Sequence, residues 1–352
     1  MRREHGGDLL TAETTYRGEI LDFSVNLNPL GAPEQVLRAA IDEVYRSAEY
    51  PDSSCRLLRR AIGEMHHVSP DYVLCGNGAS DLIFRLAYTV HPRKALLTAP
   101  AFSEYEAALD SLNSTIEFFP LSPSRYFDVT KDILRWIRPD IELVLLCNPN
   151  NPTGRLIAPE LLTAVLHRCR EVGTLLAVDE CFLPLASGQE PLFPLLNQYP
   201  NLILIRAFTK SYAIPGLRLG YCLCGNRSLL DRMEQCSPCW SVSGPAQAAG
   251  LACCSLPDWP AEGRKFLQEQ RPVMQSGLER LGLTVIPGEA NFLLFQREGD
   301  VTLKERLLNR GILIRCCADY RGLSPDWYRA AVRSCSDNQK LLLALEECLW
   351  QR

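Results

Sequence analysis

The chain has 352 residues and a formal net charge of −4, with 47% hydrophobic and 22% charged residues. That balance suits a globular protein with a large core, and it lacks the basic excess that nucleic acid or an anionic membrane surface would call for. No apolar run approaches the roughly 20 residues of a membrane-spanning helix, and MRREHGGDLLTAETTYRGE at the start lacks the apolar stretch of a secretory signal, so the cytoplasm is the expected place.

The first 40 residues come before any strand–helix repeat and hold two polar motifs, HGGD (5–8) and DFSVNLNPLG (22–31). From 41 to 257, strand-like apolar runs alternate with segments of helical spacing. DYVLCGNGAS (71–80) predicts a short strand entering a glycine turn, followed by a helix in DLIFRLAYTV. KALLTAP (94–100) predicts a strand, then FSEYEAALDSL a helix. IELVLLCNPN (141–150) predicts an apolar strand ending in Asn-Pro, and PELLTAVLHRCREVG (159–173) a helix closed by glycine. TLLAVDECF (174–182), NLILIRAF (201–208) and LGYCLCG (219–225) predict further strands. Strands apolar on both faces, alternating with helices, argue for an α/β architecture with a mainly parallel sheet covered by helices. From residue 258 the texture changes to a long polar helix (262–282) and the short strands LTVIPG, ANFLLFQ, ILIRCC and YRAAVRS. This predicts a smaller α+β domain over 258–352, which residues 1–40 are expected to join.

In parallel sheets, ligands gather at the carboxyl ends of the strands. GNGAS, PAF, NPNNPTG, DE and TK all stand at predicted strand ends and so describe one site. Lys210, at the end of a buried strand, is useful if its amine is uncharged, and burial together with the nearby cation Arg218 would lower its pKa. Asp179 ends an apolar strand and needs a cationic partner, such as a protonated ring nitrogen. Asn151 can donate to a ring oxygen or simply serve a turn. The backbone around Gly78, Ala79 and Ser80 can approach an anion at a helix N-terminus, and Phe102 can stack on a flat ring. Fifteen cysteines, many on apolar runs, read as thiols that pack as small hydrophobes. The Cys236/Cys239 spacing has no matching second pair, so no metal is expected.

The ordered set of glycine turn, stacking aromatic, N-P-x-x-P-T-G, D-E, lysine after threonine, and arginine eight residues later resembles the fold-type I pyridoxal-phosphate enzymes. Within them it is similar to the aspartate and histidinol-phosphate aminotransferase group, over nearly the whole chain. The resemblance implies a seven-stranded, mainly parallel sheet in the large domain and pyridoxal 5′-phosphate as cofactor. It assigns Lys210 to the cofactor aldehyde, Asp179 to the ring nitrogen, Asn151 to the ring oxygen and Phe102 to the ring face. Ala79, Ser80, Thr209 and Arg218 would hold the cofactor phosphate. Tyr50, in YPD, would reach that phosphate from the partner subunit of a homodimer with a shared site. Arg333, in AAVRS, matches the arginine that binds a substrate carboxylate. Two positions depart from the group: Phe182 where many relatives carry Tyr, and Ala207 where many carry Ser or Thr. A narrower resemblance, carried by HGGD, DFSVNLNPLG, YPD, PAFSEYE, DECF, TKSYAIPGLRLGY and ILIRCC, is to the threonine-phosphate decarboxylases of cobalamin synthesis. It implies His5, Asn28 and Arg315 as contacts to a substrate phosphate. Histidinol-phosphate aminotransferase is the alternative activity, and a non-catalytic cofactor-binding sensor a remoter one. No nucleic acid or membrane partner is expected.

Overall fold

The computed structural model describes residues 5–188 and 190–350. Strand β1 (Leu21–Asp22) precedes the main sheet. That sheet is built from β2 (Val73–Gly76), β3 (Lys94–Ala99), β4 (Thr115–Pro120), β5 (Leu143–Cys147), β6 (Leu175–Asp179), β7 (Leu202–Ala207) and β8 (Gly220–Cys224), in the spatial order β2-β8-β7-β6-β5-β3-β4. Neighbours from β4 through β7 run parallel, while β8 is antiparallel to both β7 and β2. β5, β7 and β8 are buried at every position, as expected for strands covered by helices on both faces. The edge strand β4 was not foreseen. Its TIEFFP pattern is half-exposed and mixes polar with apolar positions, because only one neighbouring strand protects it.

The C-terminal part contributes β9 (Thr284–Ile286), β10 (Phe292–Gln296), β11 (Ile312–Leu313), β12 (Arg315–Cys316) and β13 (Trp327–Ala331). Four of them form a sheet in the order β12-β13-β10-β9, and β1 pairs with β11 in parallel, Leu21 opposite Ile312. The long helix observed is Trp259–Arg280, starting three residues before the expected boundary at a Pro that suits a first helical turn. It buries Leu267, Met274 and Leu278 in the same cluster as Leu293, Phe295 and Tyr328 of the small sheet. The helix Glu34–Val44 packs instead on the helix Gly244–Cys254, beside the large sheet.

The parallel strands end along one edge. Gly76, Ala99, Cys147, Asp179 and Ala207 are their last residues, and the antiparallel β8 begins there at Gly220. Segments at the two ends of the described chain fold back over that edge and close a cavity of about 360 Å³.

Candidate active site

β7 runs into a single helical turn, Phe208–Ser211, that places Lys210 on the wall of this cavity. Enclosure, then the charges of Arg329 and Arg218, push the Lys210 ammonium down from 10.5 to about 8. An appreciable fraction of the amine is therefore neutral near physiological pH.

Asp179, 4% exposed, ends β6 in the same cavity. Burial raises its pKa, and donors oppose that rise. The Tyr105 hydroxyl donates to Oδ2 at 2.7 Å, and the Cys181 N–H to Oδ1 at 2.9 Å. Asn151, also buried, has its amide orientation decided by its neighbours. Arg329 Nη1 and, at 3.2 Å, the Tyr320 hydroxyl both donate to Oδ1. That leaves Nδ2 as the group able to donate into the cavity, the orientation a phenolate oxygen requires. Phe102 lines the cavity and meets Tyr105 edge-on, with ring centroids 5.6 Å apart.

The helix Gly78–Val90 opens toward the cavity without a side-chain cap from its N-cap residue Asn77. Its first N–H groups are therefore available to an anion, with the helix dipole favouring negative charge. Gly78 is held at φ +83°, and a Cβ there would come within 2.5 Å of Arg218 Nη2. Glycine thus lets the guanidinium lie against the helix start. Ala79, Ser80, Thr209 and Arg218 all line this corner. The enclosed amine, the buried carboxylate, the oriented amide and the uncapped helix start together fit pyridoxal phosphate.

The opposite end carries the other charges. Arg315 on β12 and Arg329 on β13 are direct antiparallel partners, so both side chains leave one face of the small sheet and line the cavity. Like charges so placed disfavour each other unless an anion joins them. Asp319 takes Arg315 Nη2 at 2.6 and 2.7 Å, while Arg329 Nη2 donates to the Ser24 carbonyl at 2.9 Å. His5 also lines the mouth, its Nε2 3.2 Å from Glu104 Oε1. Asn26 lies here too, and its buried Oδ1 has no partner among the described residues.

Two expected substrate contacts lie elsewhere. Asn28 is turned away, its Nδ2 donating to the Ser211 carbonyl at 2.8 Å and its Oδ1 accepting from the Leu30 N–H at 3.1 Å. Asn26, two residues earlier, stands at the cavity instead. Arg333 lies beyond the end of β13, with Nε on Asp337 and Nη1 on the Asp22 carbonyl. Arg329, four residues earlier and inside the strand, is the arginine that reaches the site. Tyr50 is 80% exposed, stacked on Trp240 with centroids 4.5 Å apart, and lines no part of this chain's own cavity. Phe182 lines the cavity and packs edge-on against Phe292, while Ala207 does not line it. Sequence reasoning passed over Tyr105, Cys181 and Tyr320. Tyr105 and Cys181 lie inside PAFSEYE and DECF, and Tyr320 three residues past ILIRCC, but only the fold shows which way each points.

A family model described as aminotransferase class I and II matches residues 18–347. The chain belongs to that family. Its members depend on pyridoxal phosphate, in agreement with the site just described. Over 350 residues the chain is 38% identical to threonine-phosphate decarboxylase of Salmonella typhimurium, covering 98% of this chain and 96% of the relative. It is 31% identical to histidinol-phosphate aminotransferase of Symbiobacterium thermophilum, covering 94% and 91%. The crystal structure of histidinol-phosphate aminotransferase from Clostridium acetobutylicum superposes with a TM-score of 0.87 at 28% identity, covering 94% of this chain and 99% of that one. Among the described residues, no helix is long and apolar enough to cross a membrane.

Proposed function

We propose that the enzyme decarboxylates L-threonine O-3-phosphate to (R)-1-aminopropan-2-yl phosphate and carbon dioxide, the linker-forming step of cobalamin synthesis that the sequence resemblance implies. The observation that carries this reading is the doubly cationic mouth. Arg315 and Arg329 face one cavity from adjacent strands, with His5 at its rim, which suits a small substrate bearing both a carboxylate and a phosphate dianion. The 38% identity to a threonine-phosphate decarboxylase along the whole chain supports it.

When bound, pyridoxal phosphate supplies an aldehyde for the substrate amine and a ring that withdraws electrons from a bond at the neighbouring carbon. Ala79, Ser80, Thr209 and Arg218 hold the phosphate of that group, and Phe102 bounds the ring face. Asp179 keeps the ring nitrogen protonated, and the Asn151 amide donates to the ring oxygen. Arg315, His5 and Asn26 anchor the substrate phosphate. Arg329 orients the end that bears the carboxylate. Holding the far phosphate decides which bond at Cα is presented for cleavage, so remote binding energy selects the reaction. Once the C–COO⁻ bond has broken, Lys210 delivers a proton to Cα.

The same reading keeps residues 41–257 as the cofactor-binding unit and 258–352 as the smaller one; β1 joins the smaller one by pairing with β11, whereas the helix Glu34–Val44 packs on the cofactor-binding unit. It also keeps the homodimer in the cytoplasm. Tyr50, exposed and outside its own cavity, is then available to the partner subunit's cofactor phosphate.

The test offers the protein L-threonine phosphate alone and, separately, histidinol phosphate with 2-oxoglutarate. Carbon dioxide from the first without glutamate from the second is expected. The opposite result replaces the decarboxylase with an aminotransferase and leaves the fold in place.

A further inference from the structure

Asp179 is a buried carboxylate at the base of the cavity, and two groups that the reaction as drawn leaves idle converge on it. Tyr105 is fully buried, and the acceptor for its hydroxyl is Asp179 Oδ2, 2.7 Å away. A buried tyrosine hydroxyl normally requires such a partner. Cys181 approaches from the other side. Its N–H holds Oδ1 at 2.9 Å. An ionised carboxylate offers about four lone-pair sites. These contacts occupy some of them and leave room for one more donor from the cavity.

We propose that Tyr105 is a positioning residue for the ring-nitrogen contact: its hydroxyl, opposite the Cys181 N–H, clamps the Asp179 carboxylate in one orientation before the cofactor arrives. Tyr105 has a second hold on the same geometry, because its ring meets Phe102 edge-on at 87° between planes. One residue thus links the group that grips the ring's edge to the group that bounds its face. The balance of forces supports the clamp. Burial drives Asp179 toward its neutral form, and the Tyr105 hydroxyl opposes that drive. Without the hydroxyl the proton shared with the ring nitrogen would sit nearer the carboxylate, and the ring would withdraw electrons less well.

The inference rests on the proposed reaction only for its cofactor, so the experiment needs no substrate. Cofactor-free protein is titrated with pyridoxal phosphate, following the dissociation constant and the position of the visible absorption band. Tyr105→Phe removes one oxygen and is expected to weaken binding about tenfold and to shift the band, because a hydrogen bond to a charged group is lost. In turnover with whichever substrate proves active, kcat should fall at unchanged KM. Native affinity and an unmoved band in Tyr105→Phe overturn the proposal. A failure of the threonine-phosphate reading leaves these titrations unaffected.

Discussion

The two ends of the cavity are built differently. At the cofactor end, the chemistry stands on strand termini of one large sheet. Lys210 and Asn151 follow β7 and β5, Asp179 ends β6 and Arg218 precedes the antiparallel β8, so the register of one sheet gathers them. At the mouth, the groups come from segments at the two ends of the chain. His5 and Asn26 lie before the large sheet, and Arg315 and Arg329 lie on the small one. The first end is dictated by topology. The second depends on which of several similar residues a loop or a short strand turns inward.

The contrast can be broken first at Lys210. Lys210→Ala should lower kcat by more than about 10³-fold, since it removes the amine that both accepts the cofactor and moves the proton. Retained turnover would mean that the strand-end cluster is not where the reaction occurs. The mouth is tested by its two arginines. Arg329→Ala should reduce kcat/KM about 10²-fold through loss of a charge-assisted contact, whereas Arg333→Ala should change it only slightly, steady-state kinetics being the check. A reversal would restore Arg333 as the substrate ligand.

The asparagines sharpen the same point at lower amplitude. Asn26→Ala should raise KM about tenfold. Asn28→Ala should mainly lower the melting temperature, by removing a buried hydrogen bond worth about 1 kcal/mol. The smallest effect concerns pH. Lys210 is protonated below its folded value of about 8 and neutral above it, so cofactor-free protein should take up pyridoxal phosphate faster as pH rises, levelling off beyond that value. A midpoint still near 10.5 would show that enclosure and the neighbouring arginines do not act on the amine as described.

The same division explains what could be read in the amino-acid order. Strands apolar on both faces announce themselves, and a polar group just past such a run is placed by the run, which is why Lys210 and Asp179 were recognisable. β4 escaped because an edge strand need not be uniformly apolar. Arg329 and Arg333 share strand parity, so alternation could not separate them. What separates them is that β13 stops at Ala331, a boundary that only the packed sheet defines. Asn26 and Asn28 flank a single leucine in one loop, and nothing local says which carbonyl will claim which amide. Tyr105 looked like an ordinary core aromatic, because its hydroxyl finds Asp179 from 74 positions away.

Asn28 has a wider consequence. Its N–H takes the Lys210 carbonyl at 2.9 Å while its side chain takes the Ser211 carbonyl, so a loop near the start of the chain is latched to the turn that carries the reactive amine. The same loop brings Asn26 and Ser24 to the mouth. A proteolytic nick or an insertion between residues 20 and 30 would therefore be felt at both ends of the cavity at once, loosening substrate capture and the seat of the lysine as one mechanical event.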